Sequence, residues 1–564
     1  MTSGSGREDA LAELIASAEP KTPRRLGELI ERLEAEGRMR TVLAPERPRD
    51  AASAARVAVG SMPIRGLTFD SRRVTAGSIF VAVPGEHVDG HDYVPAAVAL
   101  GAAAVIVERP LAGVATPQIV VDRAQAALAV AAAWWYGDPS RELGVVGITG
   151  TDGKTTTSFL ATAVLEAAEI STGLLTTAEL KVGELRSANP EHVTTPEAPQ
   201  LQRTLRAMVD AGNRAAIVET TSHGLALDRV GGVAYDIAIF TNLTHEHLEL
   251  HGTFEAYREA KLSLFRRLGV NVAAPKELSR EWPRTAIVNH DDPSSPLFVE
   301  AAESAGAARI TYGVAPAADV CAVGVEEDAR RLRLRVRTPR WVDDVTVRLV
   351  GRFNVYNVLA AIALGEALEL DPAAVRAGLA GVRGVPGRME RVDCGQPFGV
   401  IVDYAHSPAS LQTVLDQLAP LAAAGSGLIA VFGSAGERDV QKRPMMGRIA
   451  GERCRLVIVT DEDPRGESRE AILDEIAAGA EAAGKRRGED LLVIPDRREA
   501  VATAFEQARP GDMVVLAGKG HEQSIIMSNG PRAWDERTEA IAALGLLGFR
   551  HHEHGERDDR NAHD

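Results

Sequence analysis

Short apolar runs alternate with longer helical stretches through most of the chain, which is the pattern of strands and helices that follow one another. The runs are apolar throughout and do not alternate with polar residues, as is typical of parallel strands buried on both faces. We therefore predict an α/β protein with mostly parallel sheets. The predicted strands are 79–83, 103–107 and 118–121, then 143–148, 215–219 and 237–240, then 399–402, 428–432, 456–459 and 513–517.

A chain of 564 residues is too long for one hydrophobic core, so several domains are expected. Residues 26–33 could form an amphipathic helix, but proline and weak periodicity follow, and we interpret 1–55 as a loosely ordered extension. The segment 384–387 (Gly-Val-Pro-Gly) is a hinge signal, and the histidine-rich end predicts a disordered tail. The predicted domains are an N-terminal domain at 56–142, a central domain at 143–386, a C-terminal domain at 387–549 and a tail at 550–564.

Composition excludes several classes of protein. A net charge of −15 leaves no basic surface for nucleic acid. The three cysteines are far apart and odd in number, which argues against a disulfide framework. No apolar run approaches membrane-spanning length and no apolar core follows positive charge at the N-terminus, so we expect neither membrane spanning nor secretion. We expect a cytoplasmic enzyme with small-molecule substrates, and a monomer.

The segment 147–157 carries the clearest chemistry. It is a glycine-rich turn that follows a predicted strand and opens a predicted helix, so its backbone N–H groups and the helix dipole favour an anion such as a phosphate. Lys154 adds a positive charge, and Thr155 offers a hydroxyl to Mg²⁺. The spacing is shorter than in the common GxxxxGK[ST] loop. The predicted ATP-binding residues here are Gly150, Thr151, Asp152, Gly153, Lys154, Thr155 and Thr156.

Two further side chains follow predicted strands of the same sheet. Glu219 ends the run 215–219, and His247 lies in a histidine-rich segment after 237–240. Ligands of open parallel sheets bind beyond the carboxyl ends of the strands, where the glycine-rich loop also lies. Glu219 and His247 are therefore predicted to contact Mg²⁺ on the ATP phosphates. Either one alone could equally be structural.

The loop form G-T-x-G-K-T-T, Asp70-Ser-Arg72, Thr194-Thr-Pro196 and the segment from Thr241 to Lys261 together resemble the Mur ligase family and its folylpolyglutamate synthetase relatives. The resemblance runs from about Ile64 to Arg537. It implies three domains: an N-terminal α/β uridine-binding domain, a central ATP-binding domain with a mostly parallel sheet, and a Rossmann-like C-terminal domain. Within the family, the residues look like the branch that adds the third amino acid of the peptidoglycan peptide.

The resemblance also implies roles for individual residues. Lys261 would carry a carbamate (N6-carboxylysine) that supplies an anionic oxygen to a second Mg²⁺. The implied catalytic residues are Lys154, Glu219, His247 and Lys261, and the implied metal ligands are Thr155, Glu219, His247 and Lys261. Further ATP contacts are implied for Asn289, Arg352, Asn354, Asn357 and Asp403. A UDP-MurNAc-dipeptide is implied to bind Ser71, Thr194, Thr195, Thr221 and Arg229, and the amino acid to bind Arg438, Glu462, Asp463, Pro464, Arg465, Gly518 and Glu522.

By this likeness the reaction is ATP-driven amide formation: the D-Glu carboxylate of UDP-MurNAc-L-Ala-D-Glu forms an acyl phosphate, which the incoming amine displaces. Arg465 suits the distal carboxylate of meso-diaminopimelate, whereas Asp463, where the family usually has Asn, would attract the ammonium of lysine or ornithine. We rank diaminopimelate first. Alternatively, Arg465 pairs with Asp463 or Glu467 as part of the structure.

Other functions remain open at this stage. One is another ligase of the superfamily, of the MurF or folylpolyglutamate synthetase type. The other is a non-catalytic sensor of UDP-muramoyl precursors. A sensor would not need the phosphoryl-transfer residues Lys154, Thr155 and Glu219, so the sequence favours the ligase.

Overall fold

The structure is a computed structural model that describes residues 5–20, 22–43, 59–85, 88–189, 193–244, 248–269, 276, 278, 280–328 and 330–550. The chain forms two compact units. The first comprises 1–323, 336–342 and 356–378, and the second comprises 324–335, 343–355 and 379–564. The second unit begins near the predicted boundary at 387 but also takes two short segments from earlier in the chain.

The first unit opens with a small α/β domain. The order of strands across its sheet is Met39–Leu43, Gln118–Val121, Ala104–Val107, Ser78–Val81 and Gly66–Thr68. All neighbours are parallel except the first pair. The helices are Leu26–Ala35, Val94–Ala99 and Ala124–Trp135, with 3-10 turns at Ser71–Arg73, Gly90–Tyr93 and Pro139–Arg141, and a short ladder joins Arg24–Arg25 to Pro63–Ile64. The strands predicted at 79–83, 103–107 and 118–121 are all present.

The N-terminal extension is packed where the sequence predicted loose attachment. A helix at Ser5–Ala16 places Leu11, only 1% exposed, in the core of the central domain. Leu29 and Leu33 of the next helix lie instead in the core of the N-terminal domain. The strand Met39–Leu43 then closes the first sheet by pairing with Gln118–Val121. The extension therefore joins two cores, which a reading of local periodicity cannot detect; residues 44–58 lie outside the described residues.

We expect Leu11→Ala to lower the free energy of unfolding by about 2–5 kcal/mol, because it leaves a cavity in a packed core. Thermal unfolding followed by circular dichroism would measure the change. Glu13→Ala, at an exposed position of the same helix, is the control and should leave the unfolding temperature nearly unchanged. Equal unfolding temperatures for parent and Leu11→Ala would show that this helix does not contribute to the core.

The large central sheet carries the glycine-rich loop. Its order starts with Leu185–Ala188, Glu179–Val182, Thr172–Leu175, Ala215–Glu219, Gly144–Thr149, Ile237–Phe240, Thr285–Asn289 and Ala308–Gly313, and continues through Val320–Glu327, Leu332–Arg337 and Val342–Val347. The strands from Thr172–Leu175 to Val320–Glu327 run parallel, and their buried apolar side chains explain the unbroken apolar runs in the sequence. The associated helices are Lys154–Ala167, Ala198–Asp210, Ser222–Ala226, Leu248–His251, Phe254–Arg266, Ser295–Ser304, Asn354–Ala367 and Pro372–Gly381, with a 3-10 turn at Arg267–Gly269.

The second unit contains another mostly parallel sheet. Its order is Glu390–Arg391, Gly399–Asp403, Met513–Ala517, Leu428–Phe432, Leu456–Val459 and Leu491–Val493, of which only the first pair is antiparallel. The helices are Pro408–Leu418, Lys442–Arg453, Arg469–Ala482, Arg497–Gln507 and Glu536–Leu546, with a 3-10 turn at Ala419–Leu421 and a hairpin of Ser524–Met527 with Gly530–Ala533. The predicted α/β class with mostly parallel sheets is confirmed. No helix within the described ranges is both long and apolar enough to cross a membrane.

Candidate functional site

The glycine-rich loop joins the central strand Gly144–Thr149 to the helix Lys154–Ala167. Gly153 caps this helix with φ +80°, a left-handed conformation that favours glycine. A Cβ at Gly153 would also collide with Oδ1 of Asn357, so the position has no room for a side chain. The first-turn N–H groups of the helix have no acceptors within the helix itself and point to where a phosphate would bind.

The loop is held from one side by the segment that follows the neighbouring strand Ile237–Phe240. The backbone N–H of Thr151 donates to the Asn242 carbonyl at 2.8 Å, and the N–H of Asp152 donates to Asn242 Oδ1 at 2.9 Å. In return, the Thr241 hydroxyl donates to the Asp152 carbonyl at 2.6 Å. The Asp152 side chain itself is exposed. These bonds attach the loop to the end of the neighbouring strand of the same sheet, which restricts the conformations of the loop.

Two lysines meet at one carbonyl of this loop. Lys154 Nζ donates to the carbonyls of Gly150 at 3.0 Å and Thr151 at 2.6 Å. Lys261, only 1% exposed on the helix Phe254–Arg266, donates to the same Gly150 carbonyl at 2.7 Å and lies 4.4 Å from the centre of the Tyr257 ring. Lys261 lies 107 positions after Lys154 in the chain, and the tertiary fold places it against the glycine-rich loop.

Glu219 is the buried acid of the site. Its carboxylate, in a side chain 1% exposed, accepts hydrogen bonds from the Thr155 hydroxyl at 3.0 and 3.2 Å. A carboxylate beside a hydroxyl at a phosphate loop is the kind of oxygen donor set that Mg²⁺ prefers, since this ion keeps several waters and phosphate oxygens. The residues present thus fit the ion. His247 lies outside the described residues, and among those described no group of three or more His, Cys, Asp or Glu side chains could hold a metal ion.

The side chains predicted to hold the dipeptide adjoin Glu219. The Thr195 hydroxyl donates to the Glu219 backbone carbonyl at 3.0 Å and accepts from the Thr221 hydroxyl at 3.1 Å. Arg229 donates to the Thr195 carbonyl at 3.1 Å and pairs with Glu197 at 2.7 Å. The fold thus gathers Thr195, Thr221 and Arg229 into one hydrogen-bonded cluster at the strand end that carries Glu219.

The other residues predicted for nucleotide binding are divided between the units. In the first unit, Asn289 donates to the Thr241 carbonyl at 2.7 Å, and Asn357 accepts from Thr157 at 3.1 Å. In the second unit, Arg352 has an exposed side chain, Asn354 donates to the Val350 carbonyl at 2.7 Å, and the Asp403 carboxylate accepts from the backbone N–H groups of Met389 and Ala405. Ser71, predicted for the uridine side, lies half-buried in the 3-10 turn Ser71–Arg73 of the N-terminal domain.

A buried charge network in the second unit contains several of the residues predicted to bind the amino acid. Lys519, which the sequence analysis did not single out, pairs with Asp463 at 2.7 Å and with Glu522 at 2.5 Å. Tyr404 donates to Glu522 at 3.4 Å, and burial, with Glu522 beside it, raises the pKa of this phenol. The positive charge beside Asp463 is therefore supplied by Lys519, and the Asp463 carboxylate is not available as an unpaired anion.

Arg465 and Glu462 lie in the same region but do not belong to this charge network. Arg465 has φ +54°, and its Nε is buried without a hydrogen-bond partner among the described residues. Glu462 is likewise buried, and its Oε2 has no partner among those residues. A non-glycine residue in the left-handed region and unpaired buried polar atoms cost free energy, and such features concentrate at ligand sites. Gly518 lies close to Glu462: a Cβ at position 518 would lie 3.2 Å from Oε2 of Glu462. The remaining two predicted residues are Pro464, which directly precedes Arg465, and Arg438, which is exposed on the loop 433–441.

The carboxylates that could have paired with Arg465 as part of the structure are otherwise engaged. Arg443 pairs with Glu467 at 2.7 Å and lowers the pKa of that carboxyl to about 2. Asp463 pairs with Lys519. Within the described part of the chain, Arg465 forms no ion pair, so its guanidinium remains available for a ligand.

Three residues of these clusters were not indicated by the sequence patterns: Lys519, Tyr404 and Thr177, whose backbone N–H and hydroxyl both donate to the Glu219 carboxylate. Lys519 stands between Gly518 and Gly520, and a lone cation in a glycine-rich turn was the available signal. Thr177 follows a strand, Thr172–Leu175, whose apolar run was too short to be noticed. The rule that ligands bind beyond strand ends would have selected Thr177 once that strand was known.

Comparison with families of known proteins gives three matches that together span most of the chain. The model described as "Mur ligase family, catalytic domain" matches residues 63–136, "Mur ligase middle domain" matches 148–365, and "Mur ligase, glutamate ligase domain" matches 387–520. The intervals follow the N-terminal, central and C-terminal sheets.

Individual relatives agree with those models. A UDP-N-acetylmuramyl-tripeptide synthetase of Roseiflexus sp. is 50% identical over 491 residues, which cover 86% of this chain and 95% of that protein. A UDP-N-acetylmuramoyl-L-alanyl-D-glutamate–2,6-diaminopimelate ligase of Geobacillus kaustophilus is 42% identical over 486 residues, 86% of this chain and 96% of that protein. A solved structure of such a diaminopimelate ligase superposes with a TM-score of 0.64 at 29% identity, covering 93% of this chain and 100% of that one.

Proposed function

The chain belongs to the Mur ligase family, and we propose that meso-diaminopimelate is the amino acid that it adds. It is an ATP-dependent ligase that adds the third residue to the UDP-muramoyl dipeptide in peptidoglycan synthesis. The choice of amino acid is supported by two groups three positions apart: Arg465 has no ion-pair partner in the described chain, and the buried Oε2 of Glu462 has no hydrogen-bond partner there.

In the first unit, the geometry supports separate roles for the threonine cluster, which would bind the dipeptide, and for the glycine-rich loop, which would bind the phosphates. The threonine cluster at Thr195 and Thr221 would hold the dipeptide with its D-Glu carboxylate near the γ-phosphate of ATP. Attack by that carboxylate transfers the phosphoryl group, which forms the acyl phosphate and releases ADP. The amine then attacks the acyl carbon, the tetrahedral intermediate expels phosphate, and one proton leaves the new amide. Lys154 and the loop N–H groups stabilise the negative charge that develops on the phosphates.

Thr155 and Glu219 would hold Mg²⁺, with Lys261 as its carbamate and His247 as further ligands by the family likeness. The ion would supply charge neutralisation at the phosphates. Lys261 and Lys154 both donate to the Gly150 carbonyl, and two ammonium groups so close repel each other. Reaction of the Lys261 ammonium with CO₂ forms the N–C bond of the carbamate and releases two protons, which would replace the repulsion from Lys154 by an attraction.

The charges of Glu462 and Arg465 indicate which amino acid the enzyme selects. The distal centre of meso-diaminopimelate carries an ammonium and a carboxylate, for which Glu462 and Arg465 are complementary partners. Lysine and ornithine carry only the ammonium, so they would leave the Arg465 guanidinium unpaired. Asp463 would attract the ammonium of lysine only as an unpaired anion, and Lys519 neutralises that carboxylate.

The function is tested by release of phosphate from ATP in the presence of UDP-MurNAc-L-Ala-D-Glu and, in turn, meso-diaminopimelate, lysine and ornithine. We expect diaminopimelate to give the highest kcat/KM. The amide product is identified by mass spectrometry. A tenfold higher kcat/KM with lysine or ornithine would overturn the choice of amino acid, and phosphate release without any amide would contradict ligation at this site.

We expect Arg465→Ala to raise the KM for diaminopimelate by about 10²-fold or more, because the distal carboxylate loses a charge-assisted partner worth about 2–5 kcal/mol. The KM for ATP should change little. Arg498→Ala, which removes a surface arginine paired with Glu539, is the matched control. Steady-state kinetics with each substrate varied would measure both effects. An unchanged KM for diaminopimelate would exclude Arg465 from the amino-acid pocket.

We infer a cytoplasmic location from the substrates, since ATP and nucleotide-linked sugars are cytoplasmic metabolites. All three cysteines are free and buried, as a reducing compartment allows. A monomeric state stays a prediction.

A further inference from the structure

Thr177 contacts the Glu219 carboxylate through both its backbone and its side chain. It lies two residues beyond the strand Thr172–Leu175, which runs parallel to Ala215–Glu219 with Leu175 opposite Val218. The Thr177 backbone N–H donates to Glu219 Oε2 at 3.2 Å, and the Thr177 hydroxyl donates to Oε1 at 3.3 Å. Thr155 donates to the same two oxygens from the phosphate loop. The carboxylate is therefore held between Thr155, at the start of the helix Lys154–Ala167, and Thr177, in the turn between the strands Thr172–Leu175 and Glu179–Val182.

The Thr177 hydroxyl also reaches the predicted dipeptide pocket. Its oxygen lies 2.7 Å from the Thr194 hydroxyl oxygen, and either group can be the donor. A hydroxyl carries one proton, so Thr177 donates either to Thr194 or to Glu219 at a given moment. When Thr194 donates to Thr177, the Thr177 proton is directed to Glu219. When Thr177 donates to Thr194, the Glu219 oxygen loses that hydrogen bond.

The main chain reinforces this connection. Thr195, the residue after Thr194, donates to the Glu219 backbone carbonyl at 3.0 Å, and Arg229 fixes the Thr195 carbonyl at 3.1 Å. The segment that carries Thr194 is thus attached to the same strand end as the carboxylate. A ligand that engages Thr194 acts on Glu219 through one intervening hydroxyl.

We propose that Thr177 is a positioning residue that couples occupancy of the dipeptide pocket to the orientation of Glu219 toward Mg²⁺-nucleotide. The proposal rests on the proposed function in one respect, namely that Thr194 contacts the UDP-muramoyl dipeptide. A bound ligand that accepts from or donates to Thr194 selects one direction of the Thr194–Thr177–Glu219 chain. A carboxylate has four lone-pair positions, so Glu219 can keep the Thr177 bonds and still bind a metal ion.

The test compares Thr177→Val, Thr177→Ser and Thr172→Val. Valine is isosteric with threonine and keeps the backbone N–H bond to Glu219, so Thr177→Val removes only the hydroxyl. Serine keeps the hydroxyl and should restore the parent behaviour. Thr172→Val is the matched control, because Thr172 is a buried threonine of the same strand whose hydroxyl donates to the Ile170 carbonyl at 2.7 Å, away from Glu219.

The primary measurement is calorimetric binding of ADP with and without Mg²⁺, in the absence and presence of UDP-MurNAc-L-Ala-D-Glu. In the parent we expect the dipeptide to tighten binding of Mg²⁺-ADP. In Thr177→Val, the gain in ADP affinity from Mg²⁺ should fall about tenfold, since a hydrogen bond to a charged group is lost, and the effect of the dipeptide should disappear. In steady-state kinetics, the fold-decrease in kcat of Thr177→Val should exceed the fold-increase in its KM for ATP.

Each outcome decides something. A Thr177→Val protein with parent-like Mg²⁺ dependence and coupling would overturn the proposal, as would an equal loss in Thr172→Val or a failure of Thr177→Ser to restore coupling. A parent enzyme in which the dipeptide leaves Mg²⁺-ADP affinity unchanged also overturns it, even if the enzyme ligates. A parent that shows the coupling but ligates no amine would contradict the proposed function and leave the role of Thr177 supported.

Discussion

ATP turnover and ligation fall by about 10²–10³-fold or more in Lys154→Ala, while the fold is retained. The lost ammonium would have stabilised the charge that develops during phosphoryl transfer, and no other lysine lies on the loop itself. Among the contacts of the described residues, Lys154 donates only to the loop carbonyls of Gly150 and Thr151. Removal of the Lys154 side chain therefore eliminates two hydrogen bonds to backbone carbonyls but no buried ion pair, so the fold is retained. Phosphate release measures the rate, and circular dichroism checks the fold.

Lys181 provides a matched control for Lys154. It is also a lysine that donates to two backbone carbonyls, those of Thr172 at 2.9 Å and Gly183 at 2.7 Å, but it is buried and pairs with Glu166. Lys181→Ala should therefore lower the unfolding temperature with little change in kcat, the reverse of Lys154→Ala. Lys154→Ala activity within tenfold of the parent would show that this loop is not the phosphate site.

Lys261→Ala is expected to be nearly inactive and to recover part of its activity with a small carboxylate such as acetate. The reason is that the carbamate oxygen, rather than the ammonium, would be the functional group, and an added anion can enter the space left by the side chain. Lys261→Glu should retain more activity than Lys261→Met, which preserves bulk without any anionic oxygen. Steady-state kinetics over a series of acetate concentrations would measure the rescue.

The carbamate itself is observable apart from activity. Enzyme equilibrated with ¹³C-labelled bicarbonate should show a carbamate carbon resonance that Lys261→Met lacks. Lys154→Ala should show a weaker carbamate resonance than the parent, because the Lys154 ammonium that repels the Lys261 ammonium and would attract the carbamate is absent. A fully active Mg²⁺-bound enzyme with an unmodified Lys261 would exclude the carbamate and leave this lysine a structural donor to the loop.

The sequence predicted the parallel strands well, because their buried faces require unbroken apolar runs. The strands Ile237–Phe240, Leu428–Phe432 and Met513–Ala517 occur where those runs predicted them. The N-terminal extension was predicted less well. Its helix at Ser5–Ala16 has a weakly amphipathic sequence and becomes stable by packing Leu11 into the core of another domain, a contact with no local signature.

By itself, the sequence determined the α/β class, the position of the phosphate loop and the residue types of its chemistry, because strand burial, glycine turns and helix starts are local properties. Only the tertiary structure decided which of those residues share a partner. Lys154 and Lys261 meet at Gly150, Thr155 and Thr177 meet at Glu219, and Lys519 takes Asp463 and so leaves Arg465 without an ion-pair partner in the described chain. These pairings join positions far apart in the chain, because sheet order, which no short stretch of sequence encodes, brings together the strand ends and the helix Phe254–Arg266 that carry them.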